Sequence, residues 1–146
     1  MRRLVNSWID RHPFATNAPI LDLACGSGEI SAVFRSRGFM NLTGVDPYTG
    51  PAYFRRMGQE ALPHDFVAIS KGSLDSLEFD AIFCSFALHL ADAGLLPQIC
   101  LRLAQISPIL VVLTPHKRPD IKPSWGWRIA EEVLDDRVRL RHYERA

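Results

Sequence analysis

Two aspartates and two glycines in the first third of the chain are the residues whose spacing is best suited to chemistry. Asp22 precedes Gly26 and Gly28, and Asp46 follows after another apolar segment. Glycines at a tight turn let the backbone approach a ligand closely, and a following helix start adds unpaired N–H groups. A carboxylate at the end of a second strand can accept both hydroxyls of a ribose. The spacing therefore predicts a site for a nucleoside-containing cofactor.

A strand–helix–strand unit must position these residues. Residues 20–23 predict a buried strand, and residues 42–45 predict the next strand of the same sheet. Between them, Glu29 opens a segment whose apolar residues recur at helical spacing. The small residues between the first strand and this helix therefore form the turn that faces the ligand.

The rest of the chain continues this alternation. Residues 137–145 alternate between arginines and a face with Val138, Leu140 and His142, which predicts a strand. Alternating strands and helices predict right-handed βαβ units and one doubly wound, mostly parallel sheet with helices on both faces. Helical spacing of apolar residues predicts four more helices. Their inward residues are Leu4, Val5, Trp8 and Ile9 in the first; Tyr53, Phe54 and Met57 in a helix over residues 53–61; Leu96, Ile99, Cys100 and Leu103 in the next; and Ile129, Ala130, Val133 and Leu134 in a helix over residues 127–134.

Composition predicts a single α/β domain over residues 1–146. Apolar residues make up 47% and charged residues 23% of the chain, as in ordinary globular proteins. The apolar runs are too short to cross a membrane, and the first residues lack the pattern of a secretory signal. The three cysteines form no C-x-x-C pair, so we expect reduced thiols, no metal site and an intracellular, cytoplasmic protein.

The first motif resembles that of the class I S-adenosylmethionine-dependent methyltransferases, Asp/Glu-x-Gly-x-Gly-x-Gly. Asp22, Gly26 and Gly28 match it, and Ala24 stands at the first glycine. The cationic cofactor of that family carries no phosphate, which suits an acidic residue beside the turn. The dinucleotide fingerprint fits less well, because its third glycine falls on Ser31. A nicotinamide-dependent reductase is also disfavoured by the lack of a Tyr-x-x-x-Lys pair.

The resemblance covers residues 18 to 115, and within it residues 79–90 and 109–113 look like the family's fourth and fifth strands. It also implies contacts with S-adenosylmethionine. Residues 67–74 take the place of the family's third strand and adenine-binding turn, where an aspartate is common and this chain offers Ser70 or Ser73. The resemblance implies that Asp22 contacts the amino-acid end of the cofactor and that the backbone at Ala24, Gly26 and Gly28 lies close to it. It further implies that Asp46 and Pro47 contact the ribose, that Ser73 and Leu74 flank the adenine, and that Ser85 borders the reacting methyl group.

Candidate residues for the methyl acceptor follow the fourth and fifth strands. His89, with Ser85, is a candidate catalytic residue, because an imidazole can remove a proton near neutral pH; the alternative is a histidine that packs on a helix face. His116, Lys117 and Arg118 suit an anionic substrate, a phosphate or an RNA backbone, or form a solvated basic turn. Trp125 is placed to stack on a planar substrate or a base.

Only one strand is predicted after the fifth, whereas sheets of this family end with two. The expected sheet is therefore shortened at its C-terminal end, and strand 137–145 leaves an edge that can pair with a partner protein or a second copy. The sequence favours a methyltransferase that acts on a small molecule or RNA. A catalytically inactive methyltransferase-like subunit of a larger assembly is the alternative, motivated by the small size and the missing strand.

Overall fold

Six strands form a single sheet in the computed structural model, which describes residues 1–146. The strands are β1 (Ile20–Leu23), β2 (Leu42–Val45), β3 (Ala81–Ser85), β4 (Ile109–Thr114), β5 (Trp127–Asp135) and β6 (Val138–Arg145). The helices are α1 (Arg2–Arg11), α2 (Glu29–Ser36), α3 (Gly50–Met57), α4 (Phe66–Ser70) and α5 (Leu96–Ile106), with short 3-10 helices at Leu88–Leu90 and Pro123–Trp125.

The strand order is β2-β1-β3-β4-β6-β5, and the first four strands are parallel. These strands are almost entirely buried, because helices cover the sheet on both faces. The predicted fold class, a doubly wound and mostly parallel α/β sheet, is confirmed. Since parallel strands end at the same edge, the turns after β1, β2 and β3 meet there.

Two apolar layers hold the helices onto the sheet. On one face, α4 and α5 pack through residues such as Ile69, Ile99 and Leu103. On the other face, α1, α2 and α3 contribute to a second apolar cluster that includes Trp8, whose indole meets the ring of Phe83 edge-on with centroids 5.0 Å apart. The predicted apolar stripe of α1 (Leu4, Val5, Trp8 and Ile9) is buried throughout.

The C-terminal region corrects the sequence prediction. The segment expected to form the last helix is strand β5, which pairs antiparallel with β6 and leaves Ile129 and Leu134 exposed. Asp136 and Arg137 both adopt left-handed backbone conformations, as a two-residue hairpin turn requires. A bulge between Ile129 and Glu131 interrupts the alternation that marks a strand, so the pattern looked helical.

Two strands therefore follow β4, and the predicted shortening at this end was wrong. Strand β6 lies inside the sheet between β4 and β5, so it does not offer the open edge that was expected of residues 137–145. The sheet is instead short beyond β2, where the only pairing is a bridge between Val45 and Leu62. Residues 67–74 were expected to supply a strand there, but they follow the Asp65 cap into helix α4 and its C-terminal turn.

Helix α3 also differs from its prediction. It ends at Met57 rather than near residue 61, because Gly58 takes the left-handed conformation that terminates helices. Tyr53 and Met57 face inward as predicted, whereas Phe54 is 52% exposed. No helix in the structure has both the length and the apolar character needed to span a bilayer.

Candidate functional site

A cavity of about 560 Å³ lies at the edge of the sheet where β1, β2 and β3 end. Ala24 and Gly26 from the turn after β1, Asp46 and Pro47 after β2, and Ser85 at the end of β3 all line it. These five residues were predicted to contact a cofactor, and the fold brings them together. The position agrees with the rule that ligands of open α/β sheets bind beyond the carboxyl ends of the strands.

The turn after β1 owes its shape to left-handed backbone conformations at Ala24 and Gly26, with φ of 53° and 58°. A side chain at Gly26 would meet only Glu29, at 3.7 Å, so protein packing is not what requires this glycine. Gly28 differs, because it is buried outside the cavity lining and an added Cβ would lie 3.1 Å from the Tyr53 ring. Gly26 therefore leaves open space at the cavity, whereas Gly28 allows α2 and α3 to pack closely.

Asp46 ties two loops together at the cavity wall. Its Oδ1 accepts hydrogen bonds from the backbone N–H groups of Tyr48 at 2.8 Å and Thr49 at 3.1 Å. Its Oδ2 accepts one from the N–H of Gly26 at 3.2 Å. A carboxylate has about four acceptor positions, so capacity remains for a ligand hydroxyl.

Asp22 occupies a different environment from the one predicted. It is 2% exposed and does not line the cavity. Its Oδ2 accepts hydrogen bonds from the Ser31 backbone N–H at 3.0 Å and hydroxyl at 2.7 Å. Burial raises the pKa of Asp22 to about 7, and its Oδ1 has no hydrogen-bond partner.

The Asp22 contact extends to the helix next to it. The hydroxyls of Ser31 and Tyr53 are 2.9 Å apart, and the Tyr53 ring lies across Gly44, where an added Cβ would come within 2.5 Å of it. Asp22, Ser31 and Tyr53 thus form a buried chain that fixes α2 and α3 against β1 and β2. In the sequence, Ser31 stands out only as a departure from the dinucleotide motif, which does not predict this role.

The predicted adenine contacts do not line the cavity. Leu74 is part of the apolar core, and the Ser73 hydroxyl is buried without a partner. The corresponding wall is built instead by His64, Asp65 and Phe66, which follow the short bridge at Leu62. The sequence did carry a signal for this segment, since Asp65 precedes the apolar residues of a short helix as an N-cap does.

The Asp65 carboxylate is only partly engaged within the protein. Its Oδ1 accepts a hydrogen bond from the backbone N–H of Ala68 at 2.8 Å and so caps α4. No side-chain hydrogen bond of this protein involves Oδ2. Asp65 therefore offers a free acceptor at the cavity.

The end of β3 contributes apolar groups to the cavity. Phe86, which has a left-handed φ of 55°, lines it together with Ala87 and Leu90. Strained non-glycine residues of this kind cluster at functional sites. His89 lies outside the lining, and its ring packs edge-on against that of His116, 4.9 Å away. Burial, and then the neighbouring His116, lower the pKa of His89, and its Nδ1 is buried without a partner.

The candidate acceptor-binding residues also lie outside the cavity lining. His116, Lys117 and Arg118 are exposed in the turn after β4, whose Lys117 carbonyl accepts a 2.6 Å hydrogen bond from Arg141. Trp125 is half-buried against the core. The cavity itself contains three carboxylates, Asp46, Asp65 and Asp92, and no lysine or arginine.

Fold and site together define the class of protein to which this chain belongs. The family model described as a methyltransferase domain matches residues 21–104, which include the turn after β1, β2, β3 and most of α5. The chain is therefore a member of the methyltransferase domain family.

Particular relatives support this membership. An uncharacterized protein of Schizosaccharomyces pombe is 33% identical to this chain in an alignment that covers 74% of this chain and 58% of that protein. The chain thus spans a little over half the length of that relative.

Solved structures agree with the fold. Magnesium protoporphyrin IX methyltransferase from Synechocystis superposes with a TM-score of 0.74 at 14% identity, over 99% of this chain and 79% of that chain. A TehB-like methyltransferase from Corynebacterium glutamicum gives 0.73 at 13% identity, over 99% and 86%. The 1,6-didemethyltoxoflavin-N1-methyltransferase from Burkholderia thailandensis gives 0.74 at 15%, over 99% and 78%. At these identities the likeness establishes a common fold.

Proposed function

We propose that the cavity binds S-adenosylmethionine and that the chain transfers the methyl group of this cofactor to an acceptor. The observation that carries the proposal is the position of Asp46 at the end of β2, hydrogen-bonded to the glycine turn and facing the cavity. The Synechocystis methyltransferase that shares this fold was crystallised with S-adenosylmethionine and with S-adenosylhomocysteine, which supports the choice of cofactor.

The residues around the cavity fit such a cofactor. The remaining acceptor position of Asp46 suits a ribose hydroxyl, and the open space at Gly26 lets a ligand lie on the backbone. Asp65, through Oδ2, suits the adenine amine, a role that we assign to it in place of Ser73 and Leu74. Carboxylates without lysine or arginine give the cavity a negative potential, which favours a sulfonium cation.

The chain's own contribution to the reaction is positioning and exclusion of water. When bound, S-adenosylmethionine would supply an electrophilic methyl group on a cationic sulfur. As the acceptor bonds to the methyl carbon, the carbon–sulfur bond would break and S-adenosylhomocysteine would leave. The mostly apolar wall, with Phe86 and Leu90, keeps water from competing with the acceptor. Ser85, at the end of β3, borders the methyl end in our assignment. A base role for His89 requires that the acceptor reach its ring beside the cavity, and this role stays a prediction.

We propose a small molecule as the methyl acceptor rather than RNA. The basic turn at 116–118 is exposed but separate from the cavity lining, which has no cationic side chain to hold a phosphate backbone. The alternative of an inactive subunit was motivated by the small size of the chain and by a missing strand. The second reason no longer holds, because both strands that follow β4 are present.

Two measurements test this proposal. Isothermal titration calorimetry should detect binding of S-adenosylmethionine and S-adenosylhomocysteine but not of NAD. A screen with radiolabelled S-adenosylmethionine against small-molecule, RNA and protein pools should transfer label to the small-molecule pool. Binding of NAD in preference to S-adenosylmethionine would contradict the cofactor assignment, and label in RNA would contradict the acceptor class.

A further inference from the structure

A buried polar cluster joins helix α1 to the terminal hairpin, away from the cavity. His142 of β6 is 3% exposed, and its Nδ1 lies 3.1 Å from the indole Nε1 of Trp8. The ring of His12 stacks on Trp8 with centroids 4.4 Å apart and meets His142 edge-on at 4.8 Å. Glu131 of β5 completes the group, which we call the His142 cluster: Trp8, His12, Glu131 and His142.

The hydrogen bonds fix where the protons lie. The Trp8 indole nitrogen can only donate, so Nδ1 of His142 must be the acceptor and its proton must be on Nε2. In the same way, the Trp8 carbonyl can only accept, so His12 donates from its Nδ1 at 2.9 Å. The protein therefore selects the neutral Nε2–H form of His142, and this Nε2 is buried without a partner.

This arrangement argues against a metal site. A nitrogen of each histidine and an oxygen of Glu131 lie within 4.8 Å of one another, and two histidines with a carboxylate are common metal ligands. A metal-binding histidine, however, usually donates a hydrogen bond from its other nitrogen, whereas that nitrogen of His142 accepts one. Arg11 also forms an ion pair with Glu131, so a cation already holds the carboxylate.

We propose that the His142 cluster makes the docking of α1 onto the sheet depend on pH, because a proton on His142 removes the acceptor that holds Trp8. When Nδ1 is protonated, two N–H groups face each other and the buried indole N–H loses its partner. An unsatisfied buried donor is destabilising. Protonation should therefore weaken the contact between α1 and β6 without changing the cavity at the other end of the sheet.

The charges around His142 set the direction of the effect. Arg11 and His12 face it from α1, Glu131 from β5 and Glu144 from β6, 3.9 Å from its Nε2, while the β4 residue opposite is Val111. Burial, and then His12, lower the pKa of His142 below its ordinary 6.5 in spite of the two glutamates. Protons thus bind preferentially to the undocked state. Docking is strongest above pH 6.5 and weakens as the pH falls below it.

Hydrogen–deuterium exchange of α1 measures this dependence directly. After correction for intrinsic exchange rates, the protection of α1 amides should fall below pH 6.5, by up to about tenfold per pH unit for one linked proton. Helix α5 packs on the other face of the sheet and is the internal comparison: amides of α5 that exchange through local opening should not show this slope. His142→Asn is the matched variant, since its amide oxygen can replace Nδ1 as acceptor for Trp8 but cannot titrate in this range. It should keep α1 protected across the same pH range.

A measurement on the unmodified chain keeps the proposal testable if the variant does not fold. Nuclear magnetic resonance of ¹⁵N-labelled histidines should show His142 as the Nε2–H form, with protonation that begins only below its ordinary pKa of 6.5. Equal pH slopes in wild type and His142→Asn would overturn the proposal, as would the Nδ1–H form. Loss of the Nε2 proton on addition of Zn²⁺ would overturn it in favour of a metal site.

Discussion

An aspartate lies on the cavity wall and another lies in the buried layer behind it, which consists of Asp22, Ser31 and Tyr53, and the two aspartates have opposite roles. Asp46 on the wall holds exposed loop backbone and keeps acceptor capacity toward the cavity. Asp22 lies behind the turn, accepts hydrogen bonds from Ser31 and is almost fully buried. Burial favours the neutral acid in Asp22, whereas Asp46 keeps an acceptor position toward the cavity. Position in the fold therefore decides which carboxylate can bind a ligand and which one supports the fold.

The largest expected effect comes from disrupting the layer behind the wall. Gly44→Ala places a Cβ within 2.5 Å of the Tyr53 ring, which cannot move without breaking its contact with Ser31. We expect a loss of about 3 kcal/mol in the free energy of unfolding, measured by urea denaturation. Gly50→Ala is the control, because nothing lies within 4 Å of its added Cβ, and it should stay within about 1 kcal/mol of wild type. Equal losses in both variants would contradict the role of Tyr53.

The pH dependence of stability distinguishes Asp22 from an ordinary exposed carboxylate. Since the pKa of Asp22 is raised from 3.8 to about 7, the folded state binds the proton more tightly than the unfolded state does. This contribution to stability is full below pH 3.8 and is lost as the pH rises toward 7. The stability of Asp22→Asn relative to wild type should therefore increase from pH 4 to pH 7, by up to about 1.4 kcal/mol per pH unit. Parallel denaturation curves for the two proteins would show that Asp22 is ionised in the folded state.

Variants of Asp65 and Ser73 test which of these two residues lies on the cavity wall and which lies in the core. Asp65→Asn keeps Oδ1 as the cap of α4 but removes the charge beside the proposed adenine site. We expect a weakening of S-adenosylhomocysteine binding by about 1 kcal/mol in calorimetry, with little change in stability. Ser73→Ala should leave the affinity unchanged, since Ser73 does not line the cavity. Weaker binding in Ser73→Ala together with unchanged binding in Asp65→Asn would support the sequence-based assignment of Ser73 to the adenine.

The smallest effect is expected at His89. Its ring faces His116 rather than the cavity, so His89→Gln should lower the rate of methyl transfer at saturating cofactor by less than about tenfold, once an acceptor is known. A general base normally contributes 10²- to 10⁴-fold. A loss in that range would establish His89 as the base and would place the acceptor between the turns after β3 and β4.

The parallel half of the sheet could be predicted from the sequence because local signals specify it. Short apolar strands, the glycine turn and Asp46 are all read within a few residues, and the structure places them as expected. The hairpin of β5 and β6 could not be predicted as well, because a bulge broke its alternation and the turn at Asp136 and Arg137 lacks glycine.

Burial decided the remaining differences at the candidate site. The sequence marks Asp22 and Ser73 as polar residues near a turn but does not show that packing removes both from the cavity. The Asp65 segment was missed because the resemblance placed the third strand several residues too late, and a single bridge at Leu62 leaves almost no strand pattern to detect. Side-chain direction depends on contacts distant in sequence, such as that between Tyr53 and Gly44.

Calorimetry with S-adenosylhomocysteine on wild type and Asp46→Asn tests the central claim most directly. The asparagine keeps an oxygen for the Tyr48 and Thr49 N–H groups, so this loop can persist, while the charge and the hydrogen bond from the Gly26 N–H are lost. We predict that binding weakens by about 2–3 kcal/mol, on the order of 30- to 150-fold, with the fold intact by circular dichroism. Unchanged affinity in the variant would contradict the account, because the cavity would then not hold the cofactor through the carboxylate at the end of β2.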